Sequence, residues 1–226
     1  MKWIDLGNPR PRVEPTPYQP ITWESLVETP LPTQINAPEH RDSFIAVALR
    51  RRTHRTFAAL SLDQLGDLMT LTCRTQRVAS SDLGFPLSQT PCLSAGAIHP
   101  IHVLLIRPDD ERCYRYDPCQ HALHNIPCRL DVRQVMDSMQ DVLPAPAATL
   151  LLFAAEPGMT ASKYEAAESL IWRDAGVQLG LFAMASEALG ISFCPLGVTG
   201  EPWVGQLIDQ PGLAGVGAAF VGSRPS

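Results

Sequence analysis

Residues 175–186 read AGVQLGLFAMAS, a stretch with no charge and only two polar side chains. Wound as a helix it is apolar nearly all round, and a helix without a polar face must be buried on all sides. This is the tightest constraint in the chain. The stretch is too short to span a bilayer, so protein must enclose it. The spacing predicts a helix from about Ser162 to Leu189, with Gly190 as a left-handed C-terminal cap. Gly176 and Gly180 stand four apart and would let another backbone approach closely.

A chain of 226 residues can bury a large core as one domain, or as one domain with an arm. The arm is suggested by proline: eight of the 21 prolines fall in residues 1–40. They forbid helix over most of that segment. Trp3, Ile4, Tyr18, Ile21, Trp23 and Leu26 give it apolar groups to pack over the body or over a second subunit. We therefore expect an arm over 1–40 and a main domain over 41–226. In the domain, SLDQLGDLMTLTCRT starts on a serine cap and has leucines at helical spacing. SFIAVALR and VRQVMDSMQDVL also read as helices. IHVLLI, CYRYDP, ATLLLFAA, GISFCPLGV and GVGAAFVG read as strands. Strands and helices do not alternate regularly, so the expected class is α+β.

The net charge of −5, with one local arginine cluster, makes nucleic acid an unexpected partner. MKWIDLGNPRPRVEP has no apolar core of a signal peptide, so the chain reads as cytoplasmic, with no membrane partner. Six cysteines spread over the domain do not form a disulfide framework. Cys113, Cys119, His121, His124 and Cys128 lie close in sequence, but without a Cys-x-x-Cys pair, so no metal site is expected. No dinucleotide or phosphate-loop fingerprint and no nucleophile elbow is present.

Several short stretches could carry chemistry. RRRTHRTF, Arg50 to Phe57, crowds four arginines and a histidine, which suits an anion or a solvated basic loop. LSAGAIHP, Leu93 to Pro100, has small residues that let backbone N–H groups approach a ligand. Lys163 is one of only two lysines against 16 arginines, and it precedes Tyr164. At a helix start the dipole makes the position unfavourable for a cation. The residues alone favour an exposed lysine offset by Glu165 or Glu168. SFCPLGV and the terminal FVGSRP read, alone, as an ordinary turn and a chain end.

In order, RRTHRTF, CLSAGAIHPIH, YRYDP, KYEAAESLIWRDAG and ALGISFCPLG with a final VG resemble the nitroreductase superfamily. More narrowly they resemble its SagB-type branch, the thiazole- and oxazole-forming dehydrogenases, over about residues 44–224. The resemblance implies a central mixed or antiparallel sheet flanked by helices. It also implies a domain-swapped homodimer around a long central helix, with FMN between subunits. Arg51, Arg52 and Thr53 would hold the phosphate and ribityl chain, and Arg55 would lie near the ring. Ser94, Ala95 and Gly96 would line the flavin pocket. Pro195, Leu196 and Gly197 would sit against the ring, and Arg224 would reach the phosphate. Lys163 and Tyr164 would handle the proton. Thr53, Leu93 and His102 depart from the usual Ser, Pro and Glu.

The activity so implied is oxidation of an azoline, in a peptide or carrier-bound chain, by hydride transfer to flavin N5, with oxygen reoxidising the flavin. A cyclodehydratase or carrier protein would be the partner. An NAD(P)H-dependent nitro- or quinone reductase is the first alternative, because nicotinamide can stack directly on FMN. A non-catalytic scaffolding subunit of a biosynthetic complex is the second.

Overall fold

The computed structural model describes residues 4–33, 43–108 and 110–225. Trp3 and the 34–40 part of the expected arm lie outside these. A seven-stranded sheet runs through the molecule. Its strands are β2 (Val27–Pro30), β5 (Ile101–Ile106), β6 (Cys113–Asp117), β7 (Ala122–Ile126), β8 (Thr149–Ala155), β10 (Ile191–Pro195) and β11 (Ala214–Ser223). Their order is β10-β11-β8-β5-β6-β7-β2, and every pairing is antiparallel.

Strand β8, TLLLFAA, is buried at every position because both faces of the sheet are covered. Its side chains alternate between two cores, as the period of two requires. Leu151, Phe153 and Ala155 face one core with α2 (Leu62–Thr72) and α5 (Glu168–Leu189). Leu150, Leu152 and Ala154 face the other with α3 (Val132–Val142) and α6 (Trp203–Leu207). Helix α2 starts on a capping box: Gln64 N–H donates to Ser61 Oγ, and Ser61 N–H donates to Gln64 Oε1.

The central helix differs from expectation in two ways. Helix α5 starts at Glu168, not near Ser162. Before it come the short α4 (Pro157–Ala161) and β9 (Tyr164–Glu165), which pairs with β1 (Arg10–Pro11) of the arm. Tertiary pairing with the arm holds 164–165 extended, so Lys163 lies five residues before the start of α5 rather than in its first turn. The helix is also not buried all round. Trp172, Gly176, Val177 and Gly180 are exposed on one face. A Cβ at Gly176 or Gly180 would meet nothing within 4 Å. Phe44, Ile45 and Leu49 of α1 (Phe44–Arg50) are exposed as well, and α1 packs against α5.

Over residues 10–31 the arm packs on its own chain. Arg12 N–H donates to Lys163 O, Thr16 N–H to Ser162 O, and Tyr18 N–H to Leu83 O. One tight seat is Gly84, at φ +91°, where a Cβ would lie 2.5 Å from Tyr18 O. The hairpin strands β3 (Arg77–Ala79) and β4 (Leu87–Gln89) flank this seat. Gly84→Ala adds left-handed strain and a backbone clash, costing about 1–3 kcal/mol. The expected result is a lower melting temperature with faster tryptic cleavage after Arg12. Unchanged cleavage would show that the arm is not seated there.

Candidate functional site

Two clusters of polar groups form, one at each end of α5. At its C-terminal end, α1 stops at Arg50, and Arg51 caps it. The following loop is fixed to two strands. His54 N–H donates to Phe193 O of β10 at 3.2 Å. Ala58 and Ser223 exchange backbone hydrogen bonds of 2.9 Å. Gly222 permits this approach, since a Cβ there would lie 2.6 Å from Ala58 O. The loop is thus held beside Arg224 and the end of β10.

Glu187 organises this end. Its carboxylate is buried and accepts from Arg50 Nε at 2.9 Å and Arg224 Nη2 at 2.9 Å, with His54 Nε2 at 3.4 Å. Burial alone raises its pKa; the hydrogen bonds from Arg224 and Arg50 outweigh this and hold it below 4.5. Among the described residues, no carboxylate pairs with Arg51, Arg52 or Arg55, all exposed. One buried carboxylate therefore faces a marked excess of positive charge, which suits an anion with several oxygens. Thr53 is half-buried between these arginines.

Near the other end, Asp174 holds the small-residue loop. Ser94 Oγ donates to Asp174 Oδ2 at 2.6 Å, and Ala95 N–H donates to the same carboxylate at 3.1 Å. His99 N–H donates back to Ser94 Oγ at 3.0 Å. Gly96 sits at φ +66°, and a Cβ there would lie 2.9 Å from Lys163 Nζ and 3.0 Å from Tyr164 Oη. Two stretches far apart in the chain thus meet at this glycine. Backbone strain collects here too: Ala97, His99 and Ala166 all have positive φ.

Of the residues singled out from sequence, Arg51, Arg52, Thr53, Arg55 and Arg224 lie at the C-terminal cluster. Ser94, Ala95, Gly96, Lys163 and Tyr164 lie at the other. Pro195 ends β10 exposed, Leu196 N–H donates to Ala218 O, and Gly197 is exposed with no close neighbour. Asp174 and Glu187 are thirteen positions apart on α5, about 20 Å at 1.5 Å per residue. The two clusters of one chain are therefore not side by side.

Sequence reasoning assigned no role to Asp174 or Glu187, and Arg50 only a place in the basic stretch. A signal existed. A carboxylate in the last turn of a helix is disfavoured by the dipole, and in an otherwise apolar helix it needs cations brought to it. Of the Cys/His run, Cys113 and Cys128 meet, but His121 is turned to other partners. Cys113 is buried in β6, and His121 bonds to Tyr116 Oη and Pro32 O. Among the described residues, no group of three His, Cys, Asp or Glu is placed to hold a metal. Among them also, no helix is long and apolar enough to cross a membrane.

A carboxyl whose folded pKa lies below its unfolded one contributes stability above the unfolded value, and loses it as pH falls through the folded value. Glu187→Gln is expected to lower unfolding free energy at pH 7 by about 1–3 kcal/mol. The gap to the native protein should narrow as pH falls below 4.5, where Glu187 itself takes up a proton. Urea unfolding at stepped pH measures this; a gap constant with pH would contradict it.

No family model and no curated protein sequence matches the chain. Solved structures do. A protein assigned as a nitroreductase from Ralstonia eutropha aligns at a TM-score of 0.66 and 20% identity, over 94% of this chain and 98% of its own. A chain of the E. coli microcin synthetase McbBCD complex, with truncated pro-MccB17 bound, aligns at 0.60 and 17% identity, over 79% of this chain and 73% of that one. A protein assigned as a nitroreductase from Desulfovibrio desulfuricans, in complex with FMN, aligns at 0.50 and 16% identity, over 83% of this chain and 92% of its own. At these identities the likeness is one of architecture: the chain has the nitroreductase fold, an antiparallel sheet in an α+β frame.

Proposed function

We propose that the protein is an FMN-dependent oxidoreductase of SagB type, acting on an azoline or similar ring in a peptide or carrier-bound chain. The observation that carries this reading is the meeting of Gly96 with Lys163 Nζ and Tyr164 Oη. A backbone cradle without a Cβ stands beside two groups able to move a proton. The residues present fit the cofactor. Among the described residues Arg51 and Arg52 have no carboxylate partner, and Arg224 is aimed by Glu187; together they suit a phosphate. Ser94 and Ala95 are fixed by Asp174, which holds the small-residue loop in place. The Desulfovibrio neighbour holds FMN, and the microcin synthetase neighbour favours a biosynthetic partner and a peptide substrate.

FMN, when bound, supplies hydride acceptance. The chain supplies position and proton handling. Lys163 is half-buried, with Nζ 5.8 Å from the centre of the Tyr164 ring. Its backbone carbonyl is held by Arg12 N–H at 2.8 Å, so the arm braces the pair. An arginine could not serve as base, because it does not deprotonate in proteins. Purified protein should show the visible bands of oxidised flavin. Lys163→Ala should keep those bands and lose turnover on an azoline peptide by about a hundredfold or more. An unchanged rate removes Lys163 from the chemistry. Anaerobic bleaching by NADPH would point to a nitro- or quinone reductase. Colourless protein that FMN does not reconstitute would point to a scaffold.

The working unit in this reading is a homodimer. The bare face of α5, with Gly176 and Gly180 beside the exposed Arg173, and the exposed Phe44, Ile45 and Leu49 of α1 form a mainly apolar surface that the described residues leave uncovered. Two α5 helices packed antiparallel through that face bring the Asp174 end of one beside the Glu187 end of the other. Each site then takes its small-residue loop from one subunit and its arginines from its partner. Gly180→Leu fits the single chain, since nothing lies within 4 Å, but obstructs close helix approach. It should yield monomer in sedimentation and lose flavin; a dimer of unchanged affinity would rule out this interface.

A further inference from the structure

A cavity of about 300 Å³ lies between the small-residue loop, which lines it with Ser94, and the arm, β5, β6 and α5. Neither Lys163 nor Tyr164 lines it. Its size is at the lower end for small-molecule sites. Two donors in its wall, Trp23 Nε1 and Arg115 Nε, are buried and have no acceptor among the described residues. Buried N–H groups without acceptors are rare in folded proteins. The two are neighbours: Arg115 Cζ lies 5.0 Å from the centre of the Trp23 ring. Trp23 in turn stands edge-to-face with His102 at 5.0 Å.

The charges around this pair select the ligand. Arg115 Nη1 is already paired with Asp117 at 3.2 Å. Glu156 is fully buried; it accepts from Ile21 N–H at 2.7 Å, and its other oxygen meets His102 Nε2 at 2.9 Å. Burial lowers the His102 pKa and favours the neutral ring. Burial raises Glu156 and Asp117, but hydrogen bonds outweigh it and keep both below their usual values. Asp174 also lines the space, its oxygens taken by Ser94 and Ala95. Burial pushes the Cys73 and Cys92 thiols up to about 11 and about 12, so both stay protonated. Two carboxylates, Asp117 and Glu156, then act on one guanidinium, and a third, Asp174, lines the same space. A second anion is repelled, and a cation finds its carboxylates occupied. Phe85, Ile98, Ile101, Val103 and Met159 make much of the remaining wall apolar.

We infer that this cavity is a binding site for a small, neutral, mainly apolar molecule whose carbonyl-type oxygen accepts from Trp23 Nε1 and Arg115 Nε. The inference does not rest on the flavin reading, and its test reads the cavity directly. The full chain, labelled with nitrogen-15, is titrated with acetophenone, with isopropylbenzene (the same shape without the oxygen) and with benzoate. The Trp23 indole N–H signal is identified by its loss in Trp23→Phe. Acetophenone should shift that signal saturably and bind about tenfold tighter than either comparison compound. Arg115→Met should reduce the preference over isopropylbenzene. An indole signal that does not move, or isopropylbenzene binding as tightly as acetophenone, overturns the proposal and leaves ordered water as the partner of both donors.

Discussion

Two carboxylates buried in one apolar helix organise this protein. A charge in such surroundings must be met by hydrogen bonds and counter-charges, or it is strongly destabilising. Asp174 draws in the loop at Ser94 and Ala95. Glu187 draws in Arg50 and His54 from one other part of the chain and Arg224 from a second. Each acid fixes one polar cluster, and the helix between them sets their spacing. Because α5 packs on the sheet through Phe182 and Ala185, that spacing is rigid.

The proline-rich arm completes the frame. It adds β2 to the edge of the sheet and β1 to the segment carrying Lys163 and Tyr164. Its Ile21 N–H satisfies Glu156, which sits immediately after β8. Proline suits this work, because extended chain without many free N–H groups can lie on a surface and bond only where a partner waits. The positive φ values at Ala97, His99 and Ala166 are tolerated because Asp174 and the arm brace the segments around them.

Much of the fold was legible from local pattern. The serine cap of α2, the left-handed Gly190 after α5 and the unbroken apolar run of β8 each have a short-range cause. The start of α5 was not legible. Residues 162–167 can join a helix by local preference, and only pairing with Arg10 and Pro11 draws 164–165 into a strand. The site was legible as a set of stretches but not as a geometry. The arginines stood out by their density; the acid that aims two of them did not, since Glu187 carries no local mark beyond an unfavourable place at the helix end.

The sequence by itself determined helices α1, α2 and α3, strands β5, β6, β8, β10 and β11, the apolar run of α5, and the extended backbone that prolines impose near the start. These follow from periodicity, proline geometry and side-chain chemistry, which act over a few residues. Only the tertiary structure decided that Lys163 lies outside the helix and against Gly96, that Glu187 gathers the cations, and that one face of α5 stays bare. Those facts depend on contacts between segments tens to more than a hundred residues apart, and no local preference encodes which distant partner a buried charge or an exposed glycine will meet.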